Sequence, residues 1–513
     1  MVDNVVIVGG GTAGWMTATY LNATFGDQVT VSLVESPNLP TVGVGEATFS
    51  TVRHFFHYIG LREHEWMPHC SAAYKLAIRF QNWGGENEHF YHPFERPRHV
   101  DGCTLADWWL KVGSEAFDRE SFVLAALCEA RRSPNRAGGA LFDRNLHDGG
   151  DLPRREVMNG ADTQFPYAYH FDATLLAHFL ADLGMRRGVH RVLDDVERVV
   201  QDETGAIDHL VTKQHGDIYG DLFIDCTGFR GLLINQTLGA RFESFQDVLP
   251  NDRAVALRVP VDGESQGIAP YTTATAMDAG WAWTIPLYDR IGTGYVYSSE
   301  FTTPEQAESD LRAHVGPAAD EVEANHIRMR VGRNERFWMR NCVAIGLSGG
   351  FVEPLESTGI FFIQYGIEQL VRHFPGPDRS PALRDNYNRL MAGCFDGVRE
   401  FLVLHYRAAR REDTPYWKAI NELPLPPGMA DRMELWKSRL PDSGSVIADY
   451  HGFEPYSYAV MLLGLGQRPR YPHPALRGLD SAAARAEFER VRAEAEQLVN
   501  TLPSQYEYLA GMR

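Results

Sequence analysis

The feature that most constrains the fold lies at the N-terminus, where an apolar run is followed at once by a glycine-rich turn. Val5-Val6-Ile7-Val8 is continuously apolar, as a strand buried on both faces requires. The next residues, Gly9-Gly10-Gly11-Thr12-Ala13-Gly14, match the pattern G-x-G-x-x-G and open a segment with helical spacing of its apolar residues. This order of strand, turn and helix predicts an α/β sheet that binds a dinucleotide.

The residues of this turn have separate physical roles. Gly9 permits the tight turn, Gly11 lets the backbone approach a pyrophosphate, and Gly14 allows the helix to pack closely on the strand. Thr12 and Ala13 stand at the helix N-terminus, where free N–H groups can donate to the anion.

A second apolar run ends in an acidic residue. Val29 to Val34 leads into Glu35, about 20 residues beyond the glycines, where a carboxylate can accept a hydrogen bond from a ribose hydroxyl. An acid at this position disfavours a 2′-phosphate. A glycine turn without a ligand is the alternative, and the coincidence of strand, glycines, helix and acid argues against it. The turn alone does not choose between FAD and NAD.

Composition narrows the protein class. A chain of 513 residues predicts two or more units or one large elaborated domain. The net charge, 49 − 67 = −18, disfavours nucleic acid and anionic membranes as partners. The chain shows neither a secretory signal nor an apolar window long enough to span a membrane.

The six cysteines are scattered, with no C-x-x-C pair and no histidine at ligand spacing. They predict reduced thiols in a cytoplasmic protein without a metal site.

The predicted nucleotide sheet is discontinuous in sequence. Apolar or alternating runs predict strands over 189–200, 206–215 and 220–225, and a second, antiparallel sheet contains strands over 254–259 and 292–298. We expect a nucleotide-binding region over 1–370, whose sheet combines about 1–50, 190–235 and 335–370. From about 365 the apolar spacing is helical, and 481–500 reads as one helix. Residues 371–513 are expected to form a mainly helical part that covers a site, within one compact body.

Four segments together resemble the flavin-dependent tryptophan halogenases. They are the glycine turn through Trp15, the motif Trp281-x-Trp283-x-Ile285-Pro286, the segment 74–83 that contains Lys75, and Glu353-Pro-Leu-Glu-Ser-Thr-Gly359. The Trp-x-Trp-x-Ile-Pro motif is the specific one, and the resemblance runs from residue 5 to beyond 500. Segments 47–56, 91–96 and 450–454 most resemble the tryptophan 5-halogenase of the pyrroindomycin pathway, which implies chlorination at indole C5.

The resemblance implies a fold, a cofactor and a reaction. The fold is a Rossmann-like FAD-binding sheet of the GR2 flavoprotein monooxygenase type, with a mixed or antiparallel second sheet and C-terminal helices. FAD arrives reduced from a separate flavin reductase and reacts with O₂ to a flavin hydroperoxide, from which chloride, or bromide, yields hypochlorous acid. The implied FAD-binding residues are Gly9, Gly11, Thr12, Ala13, Gly14, Glu35, Gly45, Val196, Leu347 and Ile360.

Two residues are implied to be catalytic. Lys75 presents the chlorine, either by hydrogen-bonding hypochlorous acid or by forming a chloramine, and its apolar neighbours predict a lowered pKa. Glu356 stabilises the cation that develops on the ring and accepts the ring proton. The plainer alternatives are a surface charge for Lys75 and a first-turn helix carboxylate for Glu356.

The resemblance also implies a halide site and a barrier. The backbone N–H groups of Thr358 and Gly359 bind chloride, and Trp281 and Trp283 keep the flavin away from organic substrate. The Gly349–Gly350 pair departs from the family pattern and predicts flexibility before the halide loop.

The implied substrate is L-tryptophan. Its ring lies among His92, Phe94 and Phe453, with Phe49 and Ser50 nearby, and its amino-acid group is held by residues from the set Glu454, Tyr456 and Gln164. An aromatic residue of this kind taken singly is more often a core residue than a ligand contact, and Tyr450 and His451 are alternative contacts. A homodimer is expected.

Three rival functions share parts of this pattern. A single-component flavin monooxygenase shares the nucleotide turn, but no second nicotinamide site is visible. A catalytically silent flavin-binding protein leaves Lys75 and Glu356 without a purpose. A halogenase of a phenol, a pyrrole or a tethered indole fits every motif, and only substrate assays separate it.

Overall fold

The glycine turn leaves the end of one strand of a six-stranded sheet. The structure is a computed structural model that describes residues 2–38, 45–136, 139–140, 167–377, 379–409 and 411–513. The strands of the sheet pair in parallel, except for the antiparallel edge strand Trp338–Met339. Their order is His190–Leu193, Thr30–Glu35, Asn4–Val8, Leu222–Asp225, Cys342–Ala344 and Trp338–Met339. The predicted α/β class is confirmed.

Asp225 fixes the chain where it leaves this sheet. The buried Asp225 carboxylate accepts hydrogen bonds from the backbone N–H groups of Thr227, Leu233 and Ile234 at 2.8–2.9 Å. These bonds satisfy the first N–H groups of the π-helical segment Leu232–Thr237. The aspartate that ends the predicted strand therefore caps the backbone of the next segment.

A seven-stranded mixed sheet forms the second layer. The predicted strands over 254–259 and 292–298 are confirmed and pair antiparallel, whereas Tyr271–Met277 and Ala77–Gln81 pair in parallel. The strand order is Asn325–Arg328, Arg253–Pro260, Arg290–Tyr297, Gly280–Pro286, Tyr271–Met277, Ala77–Gln81 and His89–Pro93. This sheet carries Trp281, Trp283 and His92. Its strand Ala77–Gln81 begins two residues after Lys75.

Within the described residues, five small sheets contain the remaining strands. Their strands are Gly45–Ala47, Ala168–Asp172 and Ala73–Lys75; Val196–Gln201, Ile207–Thr212 and Gly216–Tyr219; Phe242–Ser244, Gly332–Asn334 and Gly350–Phe351; His99–Val100 and Cys103–Thr104; Asn135–Arg136 and Gly139–Ala140.

The prediction of one strand over 189–200 is wrong. The run divides at Asp194 and Asp195 into two strands. His190–Leu193 belongs to the six-stranded sheet, and Val196–Gln201 belongs to a small antiparallel sheet. The Asp194 carboxylate accepts hydrogen bonds from the backbone N–H groups of Asp195, Gln214 and His215. These bonds hold the chain in a turn between the two strands.

Helices dominate the C-terminal third. The helix predicted over 481–500 is observed at Ala482–Thr501, but the helix expected from about 365 already begins at Gly359. The helices are Thr12–Phe25, Val52–Tyr58, Glu63–Trp66, Leu105–Val112, Phe117–Ser121, Val123–Glu129, Ala173–Arg186, Gly263–Gln266, Pro304–Val315, Gly359–Arg372, Pro381–Ala408, Pro415–Glu422, Met429–Trp436, Pro455–Gly464, Ala482–Thr501 and Gln505–Ala510.

One large apolar cluster joins both sheets and the C-terminal helices, from Val2 to Leu509. The six cysteines are buried free thiols. Within the described residues, no helix has the length and apolarity needed to cross a membrane. The same part of the chain has no group of three acidic, histidine or cysteine side chains arranged to hold a metal ion.

We expect Gly9→Ala to destabilise the fold more than a matched glycine substitution. Gly9 has φ +115°, and a Cβ there would lie 2.3 Å from the Cys226 carbonyl oxygen. Gly188 also has positive φ, +98°, but no described atom lies within 4 Å of its Cβ position. Urea unfolding should show a loss of about 1 kcal/mol for Gly188→Ala, from strain alone, and about 3 kcal/mol for Gly9→Ala, from strain plus overlap. Equal losses would contradict this reading of the turn.

Candidate active site

Lys75 is buried at the end of the short strand Ala73–Lys75. Its side chain is 0% exposed, and Nζ donates to the Thr48 carbonyl at 3.0 Å and to Ser357 Oγ at 2.8 Å. Burial lowers the pKa of Lys75 to about 7, against the attraction of Glu356, which raises it. The surface-charge alternative is wrong, and the lowered pKa is confirmed. The amine is therefore available in neutral form near neutral pH.

Glu356 is a buried carboxylate held by two histidines. His92 Nδ1 lies 3.0 and 3.1 Å from its two oxygens, and His405 Nε2 lies 2.6 Å from Oε1. Burial raises the pKa of Glu356, but His92 and His405 outweigh it and bring the value to about 2. The first-turn alternative is wrong, because Glu356 ends the 3₁₀ turn Pro354–Glu356, before the helix begins. Glu356 therefore stays ionised over the working pH range.

A left-handed residue connects these two groups. Ser357 has φ +60°, a backbone conformation that residues other than glycine rarely adopt. It lies between the 3₁₀ turn and the helix Gly359–Arg372, and its hydroxyl accepts the hydrogen bond from Lys75. Backbone strain of this kind is characteristic of functional sites.

The N-terminus of that helix is open to a small anion. Thr358 is the N-cap residue, but its side chain makes no capping hydrogen bond, and its buried Oγ1 has no hydrogen-bond partner among the described residues. No described atom lies within 4 Å of the position that a Cβ on Gly359 would occupy. Free N–H groups, an unpaired hydroxyl and space fit a halide at the predicted residues.

The Gly349–Gly350 pair is closely packed. A Cβ on Gly349 would lie 2.9 Å from the Phe337 ring, and one on Gly350 would lie 2.8 Å from the Gly332 carbonyl oxygen. Gly350 also belongs to a strand that pairs with Gly332–Asn334. The expected flexibility is not what the structure shows, because close packing explains both glycines.

The two tryptophans of the sequence motif are buried side by side on the strand Gly280–Pro286. Their ring centroids are 6.3 Å apart. Trp281 Nε1 donates to Glu353 Oε2 at 2.9 Å, and the same oxygen accepts from Asn251 Nδ2 and the Tyr406 hydroxyl. The strand that carries the motif is thereby bonded to the segment that carries Glu356.

Aromatic rings surround the Lys75 and Glu356 side chains. Phe49 lies 6.0 Å from Phe94 and 5.4 Å from Phe453, and His92 lies 6.4 Å from both Phe453 and Tyr456, measured between ring centroids. The Phe94 ring is 5.2 Å from Lys75 Nζ. The structure therefore brings the predicted indole-binding residues together.

The predicted polar residues differ in their exposure to solvent. Glu454 is exposed and accepts a hydrogen bond from the Arg96 guanidinium at 2.6 Å. Ser50 is half-buried just before the helix Val52–Tyr58. Gln164 lies outside the described residues.

The two alternative contacts differ in their surroundings. His451 is buried, with Nδ1 donating to the Asp449 carbonyl and Nε2 2.8 Å from the Tyr458 hydroxyl, so both ring nitrogens are engaged. The Tyr450 ring is exposed beside Phe361 and Tyr365.

The glycine turn fits a nucleotide. A Cβ on Gly10 would lie 1.5 Å from a Glu35 carboxylate oxygen, and one on Gly14 would lie 1.9 Å from the Gly9 carbonyl oxygen. The helix Thr12–Phe25 begins after Gly11 without a side-chain cap, which leaves its first N–H groups for an anion. Glu35 stands at the turn as predicted, where Trp15 Nε1 and Arg191 donate to it.

Four further predicted FAD-binding residues lie on separate elements. Gly45 begins a strand that pairs with Asp172, next to the Ala173 carbonyl that accepts from Thr12. Leu347 lies in the turn Gly346–Ser348, and a Cβ on Gly346 would lie 2.9 Å from Ala13. Ile360 is buried in the first turn of the helix Gly359–Arg372, and Val196 packs in the same apolar cluster as Val34.

Sequence reasoning missed three contacts at the centre of the site. They are the Thr48 carbonyl and Ser357 hydroxyl, which accept from Lys75, and His405, which contacts Glu356. Thr48 and Ser357 belong to the segments that carried the family resemblance. Their position next to predicted site residues was the signal that the sequence offered. His405 lies in the long helix Pro381–Ala408, where a lone histidine among apolar residues reads as core.

Comparison with known proteins identifies the family. The tryptophan halogenase family model matches residues 4–481. Tryptophan 6-halogenase SttH of Streptomyces toxytricini is 59% identical over 99% of this chain and 98% of its own length, and its crystal structure gives a TM-score of 0.95 over 99% of both chains. The 7-chloro-L-tryptophan 6-halogenase KtzR of Kutzneria sp. strain 744 is 56% identical over 99% of both chains. Tar14, a tryptophan C-6 flavin-dependent chlorinase from taromycin biosynthesis, is 54% identical over the full length of both chains, with a TM-score of 0.94.

These comparisons correct one expectation and settle the class. The three relatives are named 6-halogenases, so the expected resemblance to a 5-halogenase has no support. The family match likewise decides against a hydroxylating monooxygenase and a silent flavin-binding protein. The chain belongs to the tryptophan halogenase family and is a flavin-dependent tryptophan halogenase that uses reduced FAD, O₂ and chloride.

Proposed function

We propose that this enzyme chlorinates L-tryptophan at indole C6, with Lys75 as the chlorine donor and Glu356 as the acceptor of the ring proton. The observation that supports this chemistry is a fully buried amine near an ionised carboxylate. Aromatic side chains surround both groups. The position rests on the three relatives named 6-halogenases. C6 therefore replaces C5 as the expected product.

Bound reduced FAD, with O₂ and chloride, supplies hypochlorous acid. The N–H groups of Thr358 and Gly359 hold the chloride in the space at the helix N-terminus. Trp281 and Trp283 form a wall that organic substrate does not pass. The neutral Lys75 amine then attacks chlorine: the N–Cl bond forms, the O–Cl bond breaks, and the departing hydroxide takes the amine proton to give water. Hydrogen bonding of intact hypochlorous acid by Lys75 is the alternative.

The indole ring lies among His92, Phe94 and Phe453. Its π electrons form the C–Cl bond as the N–Cl bond breaks; the N–Cl electron pair returns to the Lys75 nitrogen, which takes back a proton from the water formed in the previous step, and Glu356 stabilises the resulting cation. The ring proton passes to the carboxylate, and the C–H electron pair restores the aromatic ring. At the rim, Glu454 faces the substrate ammonium, and its partner Arg96 offers a positive charge for the substrate carboxylate.

A second candidate substrate is 7-chloro-L-tryptophan. KtzR, which is 56% identical to this chain, is named for that substrate. Both substrates require the same donor and the same ring position, so the choice depends on the space beside indole C7.

The reaction should yield 6-chloro-L-tryptophan. The assay contains the enzyme, L-tryptophan, FAD, NADH, a flavin reductase, O₂ and chloride, and the product is assigned by mass spectrometry and proton NMR. A parallel reaction with 7-chloro-L-tryptophan compares kcat/KM for the two substrates. A product substituted at C5 or C7 would contradict the assignment of position while leaving the halogenase chemistry intact.

Lys75→Arg should lower chlorotryptophan yield per flavin oxidised by about 100-fold, because the guanidinium remains charged and displaces the donor atom by about 1 Å or more. Lys111→Arg is the matched control, because Lys111 Nζ likewise donates to backbone carbonyls but lies outside the site. The control should chlorinate at the normal rate. Wild-type yield from Lys75→Arg would exclude the lysine as donor.

The reaction should lose efficiency in mild acid if the neutral amine takes the chlorine. A lysine pKa lowered to about 7 leaves about half of the amine neutral at pH 7 and about one tenth at pH 6. Chlorotryptophan formed per flavin oxidised should therefore fall about fivefold over this interval. Glu356, with a pKa of about 2, does not titrate there. A constant ratio would indicate that the ammonium holds hypochlorous acid by a hydrogen bond.

A further inference from the structure

His405 contacts Glu356 from the long C-terminal helix Pro381–Ala408. Its imidazole is completely buried in the helix Pro381–Ala408 and packs against Phe80 and Phe401. Nδ1 lies 2.7 Å from the Phe401 carbonyl oxygen, and Nε2 lies 2.6 Å from Glu356 Oε1. Both ring nitrogens are therefore engaged, one by the backbone and one by the carboxyl.

The two partners determine where the imidazole proton lies. A carbonyl oxygen only accepts hydrogen bonds, so Nδ1 carries a proton. Neutral imidazole then has none on Nε2, and the short contact with Oε1 requires one additional proton. The His405–Glu356 pair thus holds a proton between Nε2 and Oε1 in the resting enzyme.

We propose that His405 is a positioning residue that holds Glu356 Oε1 and thereby leaves Oε2 as the oxygen that receives the ring proton. This inference rests on the proposed role of Glu356 as the proton acceptor. His92 Nδ1 divides its hydrogen bond between both oxygens, at 3.0 and 3.1 Å, so only Oε1 has a second donor. Oε2 retains the more accessible lone pair.

The other groups that face Glu356 do not replace this contact. Lys75 attracts the carboxylate from the strand Ala73–Lys75, and Tyr456 faces it from the helix Pro455–Gly464. Neither makes a described hydrogen bond to the carboxyl oxygens. His92 does, but it also belongs to the aromatic wall. Among the described contacts, His405 Nε2 contacts only Glu356, and the ring packs on Phe80 and Phe401.

The Phe401 carbonyl links this arrangement to the indole pocket. The Phe401 ring stacks on Phe453, with centroids 4.1 Å apart and planes 28° apart. One residue therefore packs against the predicted indole wall through its side chain and orients His405 through its backbone. The helical turn from Phe401 to His405 therefore positions both Glu356 and the predicted indole wall.

A double-mutant cycle tests the proposal with chlorotryptophan per flavin oxidised as the readout. Glu356→Gln should lower it about 100-fold, and His405→Gln about tenfold with an unchanged KM for tryptophan. The double variant should match Glu356→Gln alone, because His405 acts only through the carboxylate. His405→Gln should also increase the isotope effect of ring-deuterated tryptophan, since proton removal becomes slower.

The control is His451→Gln. His451 is also buried, with Nδ1 bonded to a backbone carbonyl, but its Nε2 contacts Tyr458. Any loss from this variant should be the same in the wild-type and Glu356→Gln backgrounds. A His405→Gln loss that is also independent of background would overturn the positioning role. Full activity of Glu356→Gln would instead overturn the proposed acceptor.

Histidine-selective ¹⁵N NMR tests the proton directly and does not require a folded His405 variant. In Glu356→Gln the new amide can donate to His405 Nε2, so one histidine nitrogen should lose its proton relative to the wild type. An Nε2 that carries no proton in either protein would overturn the proposal.

Discussion

The removal of water from one lysine amine is the constraint on which the site depends. A pKa that falls from 10.5 to about 7 means that the folded protein disfavours the ammonium by about 5 kcal/mol. Aromatic rings take the place of solvent around the amine, and a carbonyl and a hydroxyl accept its hydrogen bonds. Glu356 opposes it from nearby, so the amine retains enough basicity to remain a nucleophile.

The segment from Glu353 to Gly359 connects the separate parts of the proposed site. At one end the Glu353 carboxylate is bonded to the Trp281 indole, and at the other the helix N-terminus offers its N–H groups to an anion. Glu356 and Ser357 lie between them and contact the histidines and Lys75. Seven residues thus connect Trp281, the open helix N-terminus, Glu356 and Lys75, which are the four parts of the proposed mechanism.

The sequence predicted the elements whose pattern is local. The glycine turn, the strands over 254–259 and 292–298, and the helix over 481–500 each have a periodicity or a motif that is visible within one segment. The start of the helix Gly359–Arg372 was not predicted, because residues 360–367 are all buried and show no polar face. The break at Asp194 was missed for a different reason, since it depends on backbone partners about 20 residues away.

For the site, as for the fold, the sequence predicted the residues that lie in local motifs. Lys75 and Glu356 came from motifs, whereas His405 is separated from Glu356 by 49 residues and lies in a helix whose other residues explain its apolar face. No local pattern distinguishes that histidine from a core residue. The tertiary packing of the helix, with the His405 ring against Phe80 of the second sheet, brings it to the carboxylate.

The donor and the substrate walls belong to different elements. Lys75 and Glu356 are fixed by a short strand and a strained loop, while Phe453, Glu454 and Tyr456 lie at the start of the C-terminal helix Pro455–Gly464. On the proposed function, a substitution in that helix can shift the indole ring relative to the chlorine on Lys75 without changing the burial that lowers the lysine pKa. Divergence among such enzymes can therefore change the substituted carbon while the oxidant chemistry is inherited intact.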